Sequence, residues 1–162
     1  MPRKTKSPRS PTHKRVPELI VLSREDAEHY QPTLKEICIS ISDPHAEPAT
    51  VSDAFVAVLR LHFDDITEMG QASDILFAAD HARAITAFID KWPDIERVMV
   101  HCNMGVSRSP GVALGLCDAH GWATAALERS HPGWNRLVRA LMREAATTIT
   151  GERPNAPRHR NL

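Results

Sequence analysis

Long hydrophobic runs are missing from this sequence. No stretch approaches the roughly 18 consecutive apolar residues that a membrane-spanning helix needs, so no membrane partner is expected. The first fifteen residues, MPRKTKSPRSPTHKR, are basic but lack the apolar segment of a secretory signal, and a cytoplasmic location is expected. Cysteine is sparse. Cys38, Cys102 and Cys117 stand alone, at spacings that suit neither a zinc site nor a disulfide framework, and in a cytoplasmic protein they are expected to be reduced. The nine histidines contain no HxxxH pair and no His/Cys cluster. His62, His81, His120 and His131 read as surface or core residues, and no metal or other cofactor is expected. No internal repeat is visible.

Net charge is missing too, but only in the sum. Twenty Lys and Arg balance twenty Asp and Glu. Residues 1–15 hold six basic residues and no acid, residues 151–162 hold three Arg and one Glu, and 16–150 hold 11 basic and 19 acidic residues. An acidic body with basic ends argues against a nucleic-acid partner, because phosphate contacts need clustered Lys and Arg. Both ends are rich in Pro and charge and lack apolar periodicity, so 1–15 is expected to be a disordered basic tail and 151–162 a flexible one. The segment between them, 16–150, is long enough for one domain with one core. Nothing in the pattern indicates an oligomeric state.

Within that segment, short apolar runs alternate with helical patterns. Strands are expected at Glu18–Ser23, Ile37–Ile41, Phe55–Phe63 and Arg97–His101. A short helix is expected from Arg24. Ile75, Ala78, Ala79, Ala82, Ile85 and Ile89 recur at three and four residues, which predicts a helix capped by Ser73 and ended before Pro93. Further helices are expected over Ser109–Ala119, Trp122–Ser130 and Trp134–Thr148. Trp92, Trp122 and Trp134 read as packing groups. Strand–helix alternation implies an α/β single domain, with a central, mainly parallel sheet of about four or five strands flanked by helices.

The chemistry concentrates at His101-Cys102-Asn103-Met104-Gly105-Val106-Ser107-Arg108-Ser109. This stretch follows a buried strand and opens a helix, where α/β sheets present ligands. A loop of this length can turn its amides inward around an anion, helped by the helix N-terminus, and Gly105 supplies the backbone freedom such a turn needs. The planar fork of Arg108 suits bidentate contact with two phosphate oxygens. The same inward amides, helix end and cation favour the thiolate of Cys102, its nucleophilic form. Ser109 can donate a hydroxyl to that sulfur, and His101 lies beneath the loop and supports its shape. Cys38 and Cys117 read as small buried apolar residues.

The string HCNMGVSRS resembles the His-Cys-x5-Arg-Ser signature of the cysteine-dependent protein-tyrosine phosphatases, in particular their compact dual-specificity branch. The match is tight at this motif and looser over about residues 17–148, where the order of elements agrees. The segment HPGWNRLV (His131–Val138) looks like the Pro-Asn helix start that the family packs near its phosphate loop, with an insertion before Asn135. The resemblance implies a cysteinyl-phosphate mechanism with Cys102 as nucleophile and Arg108 as phosphate clamp. Asn103, Met104, Gly105, Val106, Ser107 and Arg108 would then form the substrate-binding loop. It also implies a general acid after an upstream strand. In LRLHFDDITE that acid falls on Asp65, with Asp64 as the alternative and His62 where the family often has Pro. The expected substrate is a phosphorylated protein or peptide, most of all phosphotyrosine and also phosphoserine or phosphothreonine. The uncharged loop positions disfavour polyanionic lipids. The alternatives are a non-catalytic phosphate-binding module, a phosphatase acting on lipid or RNA phosphates, and a rhodanese-like sulfurtransferase.

Overall fold

The computed structural model describes residues 15–67 and 70–149. The tails expected at 1–15 and 151–162 lie outside the described residues, except for Arg15. Among the described residues the chain forms four strands and five helices, in the order β1 (Glu18–Leu22), α1 (Arg24–His29), β2 (Glu36–Ser42), β3 (Ala57–His62), α2 (Ala79–Asp90), β4 (Arg97–His101), α3 (Arg108–His120), α4 (Ala125–Ser130) and α5 (Arg136–Ile149). The strands form one sheet in the order β1-β4-β2-β3, and every pairing is parallel. The expected α/β architecture, with four strands, is the one observed.

Strand β2 is buried along its whole length, as a central strand between two covered faces must be. Its side chains alternate between two cores with the period of two that a strand imposes. Ile37, Ile39 and Ile41 join the larger core with Ala82, Ile85 and Ile89 of α2, Val112 and Leu116 of α3, and Val138 and Met142 of α5. Cys38 joins a smaller core with Ala27 of α1, Met99 of β4, and Ala49, Val51 and Phe55 from the connection to β3. Three helices thus cover one face, while α1 and an irregular segment cover the other. Cys38 and Cys117 are both buried, as expected, and burial pushes their thiols up to about 12 and about 11.

One helix starts later than its periodicity predicts. Ser73 is no cap, and α2 begins at Ala79. The reason lies in the segment after β3. The Asp64 amide donates to Ile75 O (2.7 Å) and the Asp64 carboxylate accepts from the Ile75 amide (2.8 Å), so this stretch pairs with residue 64 instead of coiling. The cap comes from within the helix, where His81 Nδ1 accepts the Ala78 amide at 3.0 Å. The helix expected from Trp122 likewise begins only at Ala125. Trp92 and Trp122 pack against the larger core, and the Trp134 ring lies beneath the guanidiniums of Arg136 and Arg139.

Helix α3 carries the loop that follows β4, and from Arg108 to Cys117 it is buried. It must therefore lie close to α5, and two glycines allow this. A Cβ on Gly111 would meet Asn135 O at 2.8 Å, and one on Gly115 would meet Met142 Cβ at 2.4 Å. Gly115→Ala is expected to cost roughly 1–3 kcal/mol through overpacking, read as a lower midpoint in denaturant with the slope unchanged. An unchanged midpoint would mean that α3 and α5 do not depend on this close approach.

Candidate active site

Because all four strands are parallel, the chain leaves each of them at the same edge of the sheet. The segments after β1, β2, β3 and β4 meet there, at the carboxyl ends where α/β sheets carry their ligand sites. Cys102 follows β4 directly and is 2% exposed, and Arg108, the first residue of α3, is 4% exposed. The loop between them curls around the sulfur. The Gly105 amide donates to Cys102 Sγ at 3.3 Å, and Ser109 Oγ lies 3.1 Å from the same atom.

The curl needs Gly105 for two separate reasons. Its φ is +70°, a region that side chains disfavour. A Cβ there would also lie 2.8 Å from Leu22 C and Ser23 N, inside the backbone leaving β1. That backbone supports the loop from outside, since the Arg24 amide donates to Asn103 O at 3.0 Å. On the far side the Ser107 carbonyl accepts from the amides of Asn135 (2.9 Å) and Gly111 (3.1 Å).

Below the loop, His101 Nε2 pairs with Ser40 Oγ at 2.7 Å and Nδ1 faces Cys102 O at 3.4 Å. His101 is buried, and burial pushes its imidazole below the usual value near 6.5. Arg108 reaches back under the sheet edge. Its Nη1 donates to Phe63 O (2.9 Å) and to Asp43 Oδ1 (2.7 Å). Its Nε is buried and has no hydrogen-bond partner among the described residues. An orphaned buried donor is uncommon, and here it belongs to the side chain expected to clamp an anion.

The two neighbouring acids have different surroundings. The Asp65 carboxylate is drawn to the loop, where Oδ1 accepts from Ser107 Oγ (2.6 Å) and Asn135 Nδ2 (3.0 Å). The Asp64 carboxylate is occupied with the Ile75 amide. Asn135 is fully buried and links three elements. Its side-chain amide also donates to Ile66 O, and its side-chain oxygen accepts the Val138 amide at the start of α5.

All the residues singled out in the sequence converge here. Cys102, Gly105, Arg108 and Ser109 form the buried wall, with His101 beneath and Asp65 at the rim. Asn103, Met104 and Val106 face solvent, the latter two at 72% and 53% exposure, and Ser107 is half-buried. Sequence reasoning missed Asp43 and Ser40. Asp43 reads in sequence as a strand stop before Pro44. The available signal was its position at the carboxyl end of a strand beside the one that bears the cysteine. Among the described residues no group of three or more His, Cys, Asp or Glu is placed to hold a metal ion, and no helix is long and apolar enough to cross a membrane.

The fold around this loop is that of the dual-specificity phosphatases. Human DUSP28 superposes with a TM-score of 0.54 at 17% identity, over 83% of this chain and 95% of that one. DUSP15 gives 0.56 at 18% identity, over 84% and 87%. The human tyrosine phosphatase-like serine/threonine/tyrosine-interacting protein gives 0.51 at 16%, over 83% and 92%. No protein-family model matches the chain, and no curated protein matches it by sequence. The likeness is therefore one of fold.

A pH dependence follows from His101. Burial lowers its imidazole in the folded state relative to the unfolded chain, so the unfolded chain takes up more protons once the pH drops below about 6.5. Stability is expected to decline as the pH falls below that value, with His81 and His131, also lowered by burial, adding in the same direction. Denaturant titrations across this range should give a shallower decline for His101→Asn. An identical decline would show that burial does not lower the His101 imidazole in the folded state.

Proposed function

We propose that the protein is a cysteine-dependent phosphatase that hydrolyses phosphomonoesters through a cysteinyl-phosphate intermediate. The observation that carries this reading is the closed loop of Cys102–Ser109, which sets the Gly105 amide and the Ser109 hydroxyl on one buried sulfur and ends in the buried Arg108. In the first step the Cys102 thiolate attacks phosphorus opposite the leaving oxygen, forming the S–P bond as the P–O bond breaks. Asp65 gives its proton to that oxygen. In the second step Asp65, now a carboxylate, takes a proton from water as the water attacks phosphorus, and the S–P bond breaks to return the thiolate. The Ser109 hydroxyl donates to the departing sulfur. Arg108 and the loop amides hold the equatorial oxygens throughout, the largest contribution expected for phosphoryl transfer. These steps need only the chain, the substrate and water.

Two contacts support Asp65 over Asp64 as the acid. Ser107 and Asn135 fix one oxygen of Asp65 at the loop, whereas Asp64 holds the backbone of Ile75. The rim favours a particular substrate. Met104 and Val106 present apolar surface, suited to an aromatic ring, and the exposed loop residues bring no cation for a second phosphate. Beside the loop on the α1 side lies a groove of about 330 Å³ lined by Ser23, Arg24, Glu25, Glu28, Asn103 and Met104. Arg24 is engaged there by Glu28 and by the carbonyls of Glu47 and Pro48, so the groove presents Glu25 to a flanking residue. This fits phosphotyrosine in a neutral or basic peptide, with phosphoserine and phosphothreonine as further substrates.

Turnover of p-nitrophenyl phosphate tests the mechanism. Cys102→Ser is expected to abolish it, and Asp65→Asn to lower kcat by about 10²-fold or more, while Asp64→Asn keeps most of it. Undiminished hydrolysis by Cys102→Ser would rule the mechanism out, and a larger loss in Asp64→Asn would reverse the assignment of the acid. A substrate panel should rank phosphotyrosine peptides with Lys or Arg flanks above acidic ones, and above phosphoinositides and 5′-phosphorylated RNA. The opposite ranking contradicts the reading of the rim.

A further inference from the structure

We infer that a groove at the sheet edge opposite the candidate active site docks this chain's own basic, proline-containing segment 1–14, which lies outside the described residues. The inference goes beyond the proposed chemistry and does not depend on it. All four strands run the same way, so the residues that precede them gather at the edge away from Cys102. Arg15, Val16 and Pro17 lead into β1 there, and Trp92 and Ile95 lie between α2 and β4. Helix α3 starts at the active-site loop and ends at His120, two residues before Trp122. These residues line a cavity of about 440 Å³. A second cavity of about 200 Å³ shares Val16, Pro17 and Trp122 with it and is also lined by Leu127 of α4.

The lining is mostly apolar and aromatic, yet it is open to solvent, with Val16 58% exposed. The rings of His120 and Trp122 lie with centroids 4.6 Å apart, and Trp92 adds a second indole. The Trp92 Nε1 is buried and has no hydrogen-bond partner among the described residues, and an unpaired buried donor is uncommon. Grooves of this composition suit proline-rich chain in the polyproline II form, which presents proline rings to aromatic side chains and carries carbonyls with no internal partner.

The described chain itself ends at this groove, because Arg15 lines it and Lys14 comes next. Segment 1–14 contains Pro8-Arg9-Ser10-Pro11, a spacing that sets both proline rings on one face of a helix with three residues per turn. Thr12, His13 and Lys14 separate Pro11 from Arg15, enough with Arg15 for one four-residue reversal. Charge favours the same occupant. The segment holds five Lys and Arg and no acid, whereas the strip from Asp90 to Glu96 holds Asp90, Asp94 and Glu96 against one Lys. Arg15 already pairs with Glu96 at 3.7 Å, and Asp90 lies 3.8 Å from His120.

The test places the photoreactive residue p-benzoylphenylalanine at Ser7 of the full chain. An equal mixture of isotope-labelled and unlabelled protein is irradiated, and the cross-links are mapped by mass spectrometry. Cross-links are expected within one chain, on the peptides that hold Trp92 or Trp122. Pro8→Ala/Pro11→Ala is expected to lower their yield about fivefold, because the segment then pays more to become ordered. Asp90→Lys/Asp94→Lys is expected to lower it about twofold, the scale of exposed ion pairs. Both of these acids are exposed, so the change leaves the cores intact. Cross-links that join labelled to unlabelled chains would overturn the proposal by making a second copy the occupant. Cross-links scattered over other faces, none at all, or a groove yield unchanged in either variant would overturn it as well.

Discussion

The six-residue turn between β4 and α3 has almost no regular hydrogen bonding of its own, so its shape depends on what surrounds it. The Gly105 amide is turned onto Cys102 Sγ. The carbonyls of Asn103 and Ser107 are held by the amides of Arg24 and Asn135, one on each side. The side chain that closes the turn, Arg108, is fixed from below by Phe63 O and Asp43. Backbone groups removed from water must find partners or the structure loses stability. Here those partners come from the segments after β1, β2 and β3 and from the start of α5. Each can reach the turn only because the four strands are parallel and end together.

The same requirement explains much of the packing farther away. The turn that points the Gly105 amide at the buried sulfur runs directly into α3, which is buried from Arg108 to Cys117. Burying that helix against α5 needs Gly111 and Gly115, which let the backbones meet where any Cβ would collide. Helix α5 in turn is preceded by Asn135, whose side chain reaches Asp65 and Ile66 and whose amide reaches the Ser107 carbonyl. Fold and site are therefore joined through one buried polar residue. Preorganisation of this kind keeps charged groups in place without reorganisation when a phosphoryl group is transferred.

How much of this was legible in the sequence depended on distance along the chain. The strand–loop–helix around Cys102 is local, and its residues could be read together from nine consecutive letters. The strands were legible from their β-branched runs, and β2 from its lack of polar alternation. The start of α2 was not. Ile75 matches the helical spacing, but its amide is taken by Asp64, eleven residues earlier, and local periodicity carries no record of that competition. For the same reason sequence could bring Asp64 and Asp65 only as far as a preference, because the contacts that separate them come from Ile75, Ser107 and Asn135. Asp43 was illegible because its partner lies 65 residues on, and a lone Asp before a Pro looks like any strand end.

The central claim is that phosphoryl transfer passes through the sulfur of Cys102, and trapping that bond is its most direct test. The Asp65→Asn variant, slowed in the hydrolytic step, would be mixed with a good aryl phosphate, quenched in acid within milliseconds and mapped by mass spectrometry. The account predicts one phosphoryl group on the peptide containing Cys102, chased away on further incubation and absent when Cys102 is alkylated first. A phosphoryl group on any other residue, or product released in a stoichiometric burst with Cys102 unmodified, would contradict it.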